Sequence, residues 1–391
     1  MKRLLLPALL LTTLTACTAA PADTLPAAAP TPTPTSTPAP TAAPTPADAL
    51  TPEEKIGQLF IIRPDALDLT LPQETINDAK ADGVTMLTDA MRETLQAYPV
   101  GGICQFGKNI TDPEQLAQFN ADLQAASRTP LFIAVDEEGG AVARLANHPA
   151  FDLPQYESAA AVGASGDPAD ACAMGQTIGA YLKEYGFNMD FAPDADVNTN
   201  PDNPIIGTRA FSSDAATAAE MAAAAADGLR TSGILPTLKH FPGHGDTAED
   251  SHTALAVTYK TLDELQACEL LPFAADTGLH AVMVGHIAAP NVTGDGTPAT
   301  LSPQLVALIP DAENTLIVTD SLAMDAITAA YTPGEAAVQA LQAGCDVLLM
   351  PNSLPEAYAA VLEAVQNGTI SGERLDRSVN KILLYKQQFA S

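Results

Sequence analysis

The chain of 391 residues carries 18 Lys and Arg against 47 Asp and Glu, a formal net charge of −29. This acidity disfavours electrostatic binding of nucleic-acid phosphates or anionic lipid surfaces, so we expect no nucleic-acid partner. Hydrophobic residues make up 47% of the chain, enough for a sizeable core, and the absence of Trp leaves stacking against any ligand to Tyr, Phe or Met.

The first 17 residues have the layout of an export signal. Lys2 and Arg3 precede a short apolar run from Leu4 to Leu14, which leads to Leu14-Thr15-Ala16-Cys17. This tetrapeptide resembles the lipobox of bacterial lipoproteins, in which the cysteine becomes the lipidated first residue of the mature protein. We therefore predict lipidation of Cys17, which would anchor the chain at the extracytoplasmic face of the bacterial cell membrane. An ordinary cleaved signal is the alternative.

Residues 18–48 consist almost entirely of Ala, Pro and Thr. Such a segment cannot bury enough apolar surface to offset its loss of conformational entropy, and its prolines favour extended polyproline geometry. We predict a disordered tether here and a folded domain over residues 49–391.

Short apolar runs alternate with helical patterns in the folded part. The predicted strands are residues 57–62, 100–106, 131–135, 188–192, 234–238, 281–286, 315–319 and 347–350. The predicted helices include residues 113–126, 168–185, 215–232, 261–275, 333–343 and 354–367. Eight strands separated by helices predict an α/β fold with a parallel sheet, either a closed barrel or an open doubly wound sheet. Residues 63–98 are longer than a simple crossover needs.

The segment from Lys239 to His252 concentrates polar chemistry. It reads K-H-F-P-G-H-G-D-T-A-E-D-S-H and holds three of the six histidines, directly after a predicted buried strand. Its proline and glycines exclude a helix, so His240 and His244 cannot share a helical face as a zinc-binding pair would. We predict a loop that presents imidazoles and carboxylates to a ligand. Metal binding by this loop is an alternative, with possible ligands at His240, His244, Asp246 and His252.

Other predicted strands also end in polar residues. Asp136 follows the strand at 131–135 and is accompanied by Arg144, while Asp320 follows the strand at 315–319. The chemistry of a barrel lies where its strands end, so these residues are candidates for one site.

The pattern K-H-F-P-G-H-G, followed by Asp250-Ser251-His252, resembles the signature of glycoside hydrolase family 3, in its branch of bacterial β-N-acetylglucosaminidases. Two further segments are similar to that family: D-x-E-G-G-x-V-x-R at 136–144 and T-D-x-L-x-M at 319–324. The resemblance favours a (β/α)8 TIM-type barrel as a single catalytic domain over residues 49–391. It implies a retaining exo-β-N-acetylglucosaminidase that removes terminal N-acetylglucosamine from peptidoglycan fragments, including muropeptides, or from chito-oligosaccharides.

The resemblance also implies residue roles. Asp320 would be the nucleophile that forms a covalent glycosyl intermediate, and His252, paired with Asp250, would be the proton donor. The residues implied in sugar binding are Asp136, Arg144, Arg209, Lys239 and His240. We expect neither a metal nor any other cofactor, and we expect a monomer.

Three alternatives remain at this stage. A neutral imidazole acid would not repel phosphate in the second step, so a β-N-acetylglucosaminide phosphorylase is one. A lipid-tethered sugar-binding protein without catalysis is another. A family 3 β-glucosidase is the third, but those enzymes usually draw their acid from an additional C-terminal domain, which we do not expect here.

Overall fold

The computed structural model describes residues 45–249 and 255–390. Three residues singled out above, Cys17, Asp250 and His252, lie outside the described residues, as do the predicted signal and most of the predicted tether.

The fold is built on an 8-stranded parallel sheet whose strands are neighbours in chain order. The strands are β1 (Phe60–Ile62), β2 (Gly102–Cys104), β3 (Phe132–Val135), β4 (Met189–Asp190), β5 (Leu235–Phe241), β6 (Ala281–Val284), β7 (Leu316–Thr319) and β8 (Leu348–Leu349). β1 pairs in parallel with both β2 and β8, and a parallel bridge joins Val318 of β7 to Val347 beside β8. The sheet therefore closes on itself, which confirms the predicted barrel over the open sheet.

Helices cover the barrel between successive strands. Those of the described residues are α1 (Pro52–Gln58), α2 (Gln73–Asn77), α3 (Asp89–Ala97), α4 (Pro113–Ala126), α5 (Ala159–Gly163), α6 (Pro168–Glu184), α7 (Ala215–Thr231), α8 (Leu262–Ala267), α9 (Leu271–Ala275), α10 (Pro290–Thr293), α11 (Pro303–Val306), α12 (Asp325–Thr328), α13 (Pro333–Ala343), α14 (Leu354–Gln366) and α15 (Gly372–Phe389). Short 3-10 helices occupy Pro46–Ala49, Pro64–Leu67, Gly107–Asn109, Gly207–Arg209 and Ala299–Leu301. None of the helices in the described ranges is both long and apolar enough to cross a membrane.

Local sequence signals account for the predicted helix bounds. α4 begins after Asp112, whose carboxylate accepts from the amide of Gln115, and α13 begins with a capping box between Thr332 and Glu335. The helix predicted over 261–275 is instead two helices, α8 and α9. Pro272 stands at the start of α9, where its missing N–H cannot continue a preceding helix.

The core lies inside the barrel and between the barrel and its helices. Every residue of the eight strands is buried, because one face packs into the interior and the other against helices. This double burial explains why the strands read as continuous apolar runs. At the N-terminal side, the 3-10 helix Pro46–Ala49 spans the expected boundary between tether and domain. There, buried Ala47 donates its amide to the Asn380 side chain of α15, 2.9 Å away.

Candidate active site

A cavity of about 190 Å³, lined by both charged and apolar side chains, opens at the carboxyl ends of the barrel strands. Six of the residues predicted for the site line it: Asp136, Arg144, Arg209, Lys239, His240 and Asp320. Lys239 and His240 lie within β5, which extends into the predicted loop as far as Phe241, and the other four follow strands, yet the barrel brings all six to one mouth. The arrangement supplies carboxylates, guanidinium groups, an ammonium and an imidazole to a single small ligand.

Lys239 is the buried cation at the base of this cavity. It is the fifth residue of β5, and its Nζ lies 2.8 Å from Asp136 Oδ1 and 2.6 Å from Glu138 Oε1. Burial opposes the charged forms, but this mutual attraction outweighs it. The pKa of Lys239 is therefore raised, and Lys239 and Arg144 hold the pKa of Asp136 well below its usual range. Lys239 and Asp136 are therefore both charged at neutral pH.

Glu138 and Arg209 form a second ion pair. The sequence predicted Arg209 as a site residue but did not predict Glu138. Arg209 Nε and Nη2 each donate to a Glu138 oxygen at 2.8 Å, in the two-point geometry that suits a guanidinium. The Glu138 side chain is buried, and burial alone would raise its pKa. Arg209 and Lys239 reverse that effect and lower it. Glu138 thus orients both cations, and its place two residues after Asp136 was the signal available in the sequence.

His240 is oriented by a buried aspartate. Its Nδ1 lies 2.7 Å from Asp196 Oδ2, and the other Asp196 oxygen accepts the backbone amide of His244 at 2.5 Å. Burial disfavours the charged imidazole, but the Asp196 carboxylate outweighs it and raises the pKa of His240. Burial and the neighbouring His240 lower the pKa of His244. Asp196 therefore fixes the start of the histidine loop, the segment from Lys239 to His252 described in the sequence.

Arg144 reaches the cavity from a hairpin formed by Glu137–Gly139 and Val142–Ala143. The glycines at its turn, Gly139 and Gly140, have φ of 82° and 63°, a left-handed backbone conformation that glycine adopts without steric cost. Glu137 points away from the cavity and accepts the amides of Leu145 and Ala146, both at 2.9 Å. The carboxylate thereby holds the backbone that carries Arg144.

Asp320 stands directly after β7 and is partly exposed in the cavity. Its Oδ1 accepts the amide of Ser321 at 2.7 Å, which sets the carboxylate orientation. His286 is buried, with Nδ1 2.8 Å from Thr300 Oγ1 and Nε2 2.8 Å from the Ser321 carbonyl. It therefore braces the backbone that follows Asp320.

One wall of the cavity was not predicted. Phe106, after β2, lies between two guanidinium groups, with Arg63 at 4.5 Å and Arg144 at 5.9 Å from its ring centre. Arg63 also donates to the carbonyls of Ile76 and Asn77 at the end of α2, so it joins the long 63–98 segment to the cavity rim. Both Arg63 and Phe106 follow strands. The expectation that barrel chemistry lies where strands end, which singled out Asp136, could therefore have singled out these two residues as well.

A cluster behind the cavity has donor atoms suited to a metal ion. Among the described residues, ligand atoms of Asp194, Asp196 and His240 lie within 4.8 Å of one another. The Arg209 guanidinium stands 3.5 Å from Asp194 and 3.4 Å from His240, so a cation already lies against this cluster. We interpret the cluster as an ion-pair network that orients His240 and Arg209.

Comparisons with known proteins identify the class to which this barrel and cavity belong. Residues 51–384 match the family described as Glycosyl hydrolase family 3 N terminal domain. The chain therefore belongs to glycosyl hydrolase family 3, and it is a glycoside hydrolase.

The relatives indicate which branch of glycosyl hydrolase family 3 this chain resembles. Beta-hexosaminidase LpqI from Mycobacterium tuberculosis is 33% identical over 347 residues, 81% of this chain and 83% of that protein. Beta-hexosaminidase A from Pseudoalteromonas piscicida is 32% identical over 335 residues, 78% of this chain but 56% of that longer protein. The solved family 3 beta-N-acetylglucosaminidase from Paenibacillus sp. str. FPU-7 matches this chain with a TM-score of 0.77 and 37% identity. The match covers 87% of this chain and 63% of the Paenibacillus chain. The chain is thus similar to β-N-acetylhexosaminidases.

A phosphorylase is also among the structural relatives. Beta-glucoside phosphorylase BglX matches with a TM-score of 0.72 and 27% identity, over 87% of this chain and 59% of that protein. The same barrel therefore occurs in proteins named for hydrolysis and for phosphorolysis.

Proposed function

We propose that this protein is a retaining exo-β-N-acetylglucosaminidase that removes terminal N-acetylglucosamine from peptidoglycan fragments or chito-oligosaccharides. The observation that carries the proposal is the position of Asp320. This carboxylate shares one small cavity with Asp136, Lys239 and His240, which supports a role as the nucleophile toward a sugar that these groups would bind.

In the proposed mechanism, Asp320 attacks the anomeric carbon and the glycosidic bond to the departing oxygen breaks. His252, oriented by Asp250, gives its proton to that oxygen. The neutral imidazole then takes a proton from water, whose oxygen replaces Asp320 at the anomeric carbon, and the sugar leaves with its β configuration kept. The cations Lys239, Arg144 and Arg209 hold the sugar's hydroxyls through this sequence.

The nucleophile is tested with Asp320→Asn. The amide is nearly isosteric but a poor nucleophile, so hydrolysis of an activated aryl β-N-acetylglucosaminide should fall by at least about 10³-fold. Asp325→Asn, the same change at an exposed position of α12, should keep the wild-type rate. A normal rate in Asp320→Asn would refute the assignment.

The proton donor is tested with His252→Ala. General acid catalysis matters most when the leaving group is a strong base. The variant should therefore lose far more rate on a phenyl glycoside than on a 2,4-dinitrophenyl glycoside. Equal losses on the two substrates would argue against His252 as the acid.

Phosphorolysis is the second candidate, supported by the likeness to the beta-glucoside phosphorylase. Assay in phosphate buffer separates the two reactions, because a phosphorylase forms N-acetylglucosamine 1-phosphate and a hydrolase forms the free sugar. We propose hydrolysis as the main reaction.

Metal binding by the histidine loop is tested separately. Activity that survives treatment with a chelator would dismiss a metal-dependent reaction.

We further propose that Cys17 is lipidated and holds the protein at the extracytoplasmic face of the membrane, as a monomer. The lipobox-like tetrapeptide and the Ala/Pro/Thr-rich segment after it support this location.

A further inference from the structure

Asp190 is a buried carboxyl group that the proposed mechanism does not use. It is the last residue of β4 and is fully buried, and the next residue, Phe191, lines the cavity whereas Asp190 does not. Because side chains alternate along an extended chain, Asp190 faces the layer between the barrel and its helices. It therefore touches no substrate, and any effect on the reaction must pass through its neighbours.

The Asp190 side chain holds the backbone of the segment that carries two cavity carboxylates. Its Oδ1 accepts the backbone amide of Glu137 at 3.0 Å, just beyond the point where β3 and β4 stop pairing. The residues on either side of Glu137 are Asp136 and Glu138, and both lie against Lys239 Nζ. Asp190 thus fixes the one amide that stands between the two carboxylates directed into the cavity.

Two buried carboxyl groups meet at this point, and they have unequal support from hydrogen-bond donors. Glu137 accepts from the amides of Leu145 and Ala146 and from the Tyr181 hydroxyl, each at 2.9 Å. Asp190 accepts the Glu137 amide through Oδ1, while its Oδ2 has no hydrogen-bond partner among the residues that the structure describes. Donors stabilise a carboxylate, so the negative charge belongs on Glu137 and the proton on Asp190.

The charges around Asp190 favour the same assignment. The groups that face it are Glu137 and Asp136 from the segment after β3, Lys239 from β5 and Tyr181 from α6. Lys239 favours an ionised Asp190, but this ammonium already lies 2.8 Å from Asp136. Burial and the Glu137 carboxylate raise the pKa of Asp190 well above its usual range. Burial raises the pKa of Glu137 as well, but its three donors oppose that effect.

We propose that Asp190 is a positioning residue that acts as an uncharged carboxylic acid behind the cavity, an inference that rests on the function proposed for that cavity. It holds the Glu137 amide so that Asp136 and Glu138 point inward to Lys239. An ionised Asp190 would place two like charges side by side in a buried layer, whereas the neutral acid accepts the same amide at lower cost.

The test compares Asp190→Asn with Asp190→Ala. Asparagine is uncharged and its side-chain oxygen can still accept the Glu137 amide, so kcat/KM for an aryl β-N-acetylglucosaminide should stay within about threefold of wild type. Alanine removes that acceptor, so we expect kcat/KM to fall by about 10- to 100-fold. The loss should appear mainly as a raised KM, because Asp136 and Lys239 would bind the sugar. Asp152→Asn, at an exposed aspartate, is the matched control and should leave kcat/KM unchanged.

The dependence of stability on pH identifies the protonation state. If Asp190 keeps its proton in the folded protein and loses it on unfolding, the wild type loses unfolding free energy relative to Asp190→Asn as pH rises above the ordinary value of 3.8. Urea denaturation of both proteins between about pH 4 and pH 8 measures this difference. A wild-type advantage that is constant or grows with pH would show that Asp190 is ionised and would overturn the proposal.

The kinetic outcomes decide the positioning role. Equal losses of kcat/KM in Asp190→Asn and Asp190→Ala would overturn it, as would an Asp190→Ala variant that loses nothing. Because Asp190 acts through its neighbours, adding Asp190→Ala to Asp136→Ala should cost less than about threefold, and an undiminished loss in that background would contradict the route. Asp190→Ser, whose shorter side chain cannot place an acceptor at the same point, should show the same loss and replaces Asp190→Ala if that variant does not fold.

The proposed function and this inference fail separately. If Asp320→Asn keeps the wild-type rate, the proposed function is lost and the positioning role with it, while the pH dependence of stability still reports the protonation of Asp190. If Asp320→Asn is inactive but Asp190→Ala keeps its kcat/KM, only the role of Asp190 is overturned.

Discussion

The ammonium of Lys239 lies 2.8 Å from the carboxylate of Asp136, a residue 103 positions earlier in the chain. Both side chains are drawn into the barrel mouth from the ends of separate strands, and Glu138 shares the same ammonium. Three acidic residues in a row, Asp136 to Glu138, coexist because the outer two share Lys239, Glu138 also binds Arg209, and Glu137 binds backbone amides.

Lys239→Met should weaken both the fold and substrate binding. It leaves the carboxylates of Asp136 and Glu138 in the cavity without their shared cation, and removing one partner of a buried ion pair costs about 3–5 kcal/mol. Urea denaturation should show this loss of unfolding free energy, and kinetics should show a raised KM. Lys183→Met, on α6, is the control. An unchanged unfolding free energy in Lys239→Met would contradict the role we assign to the pair.

Glu137→Gln should impair Arg144 without touching the cavity. A glutamine offers one acceptor oxygen, whereas Glu137 uses its two oxygens for the amides of Leu145 and Ala146 and the hydroxyl of Tyr181. Stranding a buried amide costs about 1–3 kcal/mol of stability. We expect kcat/KM to fall as well, and to fall little further when Glu137→Gln is added to Arg144→Ala. Tyr181→Phe removes one bond and should cost less, about 0.5–1.5 kcal/mol.

The pair of His240 and Asp196 should make stability depend on pH. The pKa of His240 is raised in the folded protein, so its contribution is complete below its ordinary value of 6.5 and is lost as pH rises through the higher folded pKa. The pKa of Asp196 is lowered, so its contribution is lost as pH falls below its ordinary value of 3.8. The advantage in unfolding free energy of wild type over His240→Asn should therefore decline above pH 6.5. His148→Asn, outside this network, is the comparison, and an advantage that grows with pH would reverse the sign we assign.

Cys17→Ala should release the protein from the membrane. Without the thiol no lipid can be attached, and none of the described helices is long and apolar enough to cross a bilayer. Detergent phase partitioning of the wild-type and variant proteins, expressed in a bacterium, measures this directly. Equal partitioning of the two would favour the ordinary cleaved signal.

The alternation of strands and helices could be derived from the sequence because its signals are local, whereas closure into a barrel was favoured only by the family resemblance. Buried parallel strands are apolar on both faces, and proline, capping residues and glycine mark where helices such as α4 and α13 begin and end. The boundary in 261–275 was missed because a single Pro272 interrupts an otherwise helical pattern. The candidates Asp136, Lys239 and Asp320 were accessible for a related reason, since each stands where an apolar run stops.

What the sequence determined by itself is therefore the order of strands and helices and the residues that could do chemistry at the strand ends. Only the tertiary structure decided which of these acidic and basic side chains form ion pairs with each other. The pairing of Glu138 with Arg209, of Asp196 with His240 and of Asp246 with Lys260 depends on how loops fold over the barrel mouth. Hydropathy cannot reveal such pairings, because an ion pair is a matter of distance between side chains that no spacing along the chain encodes.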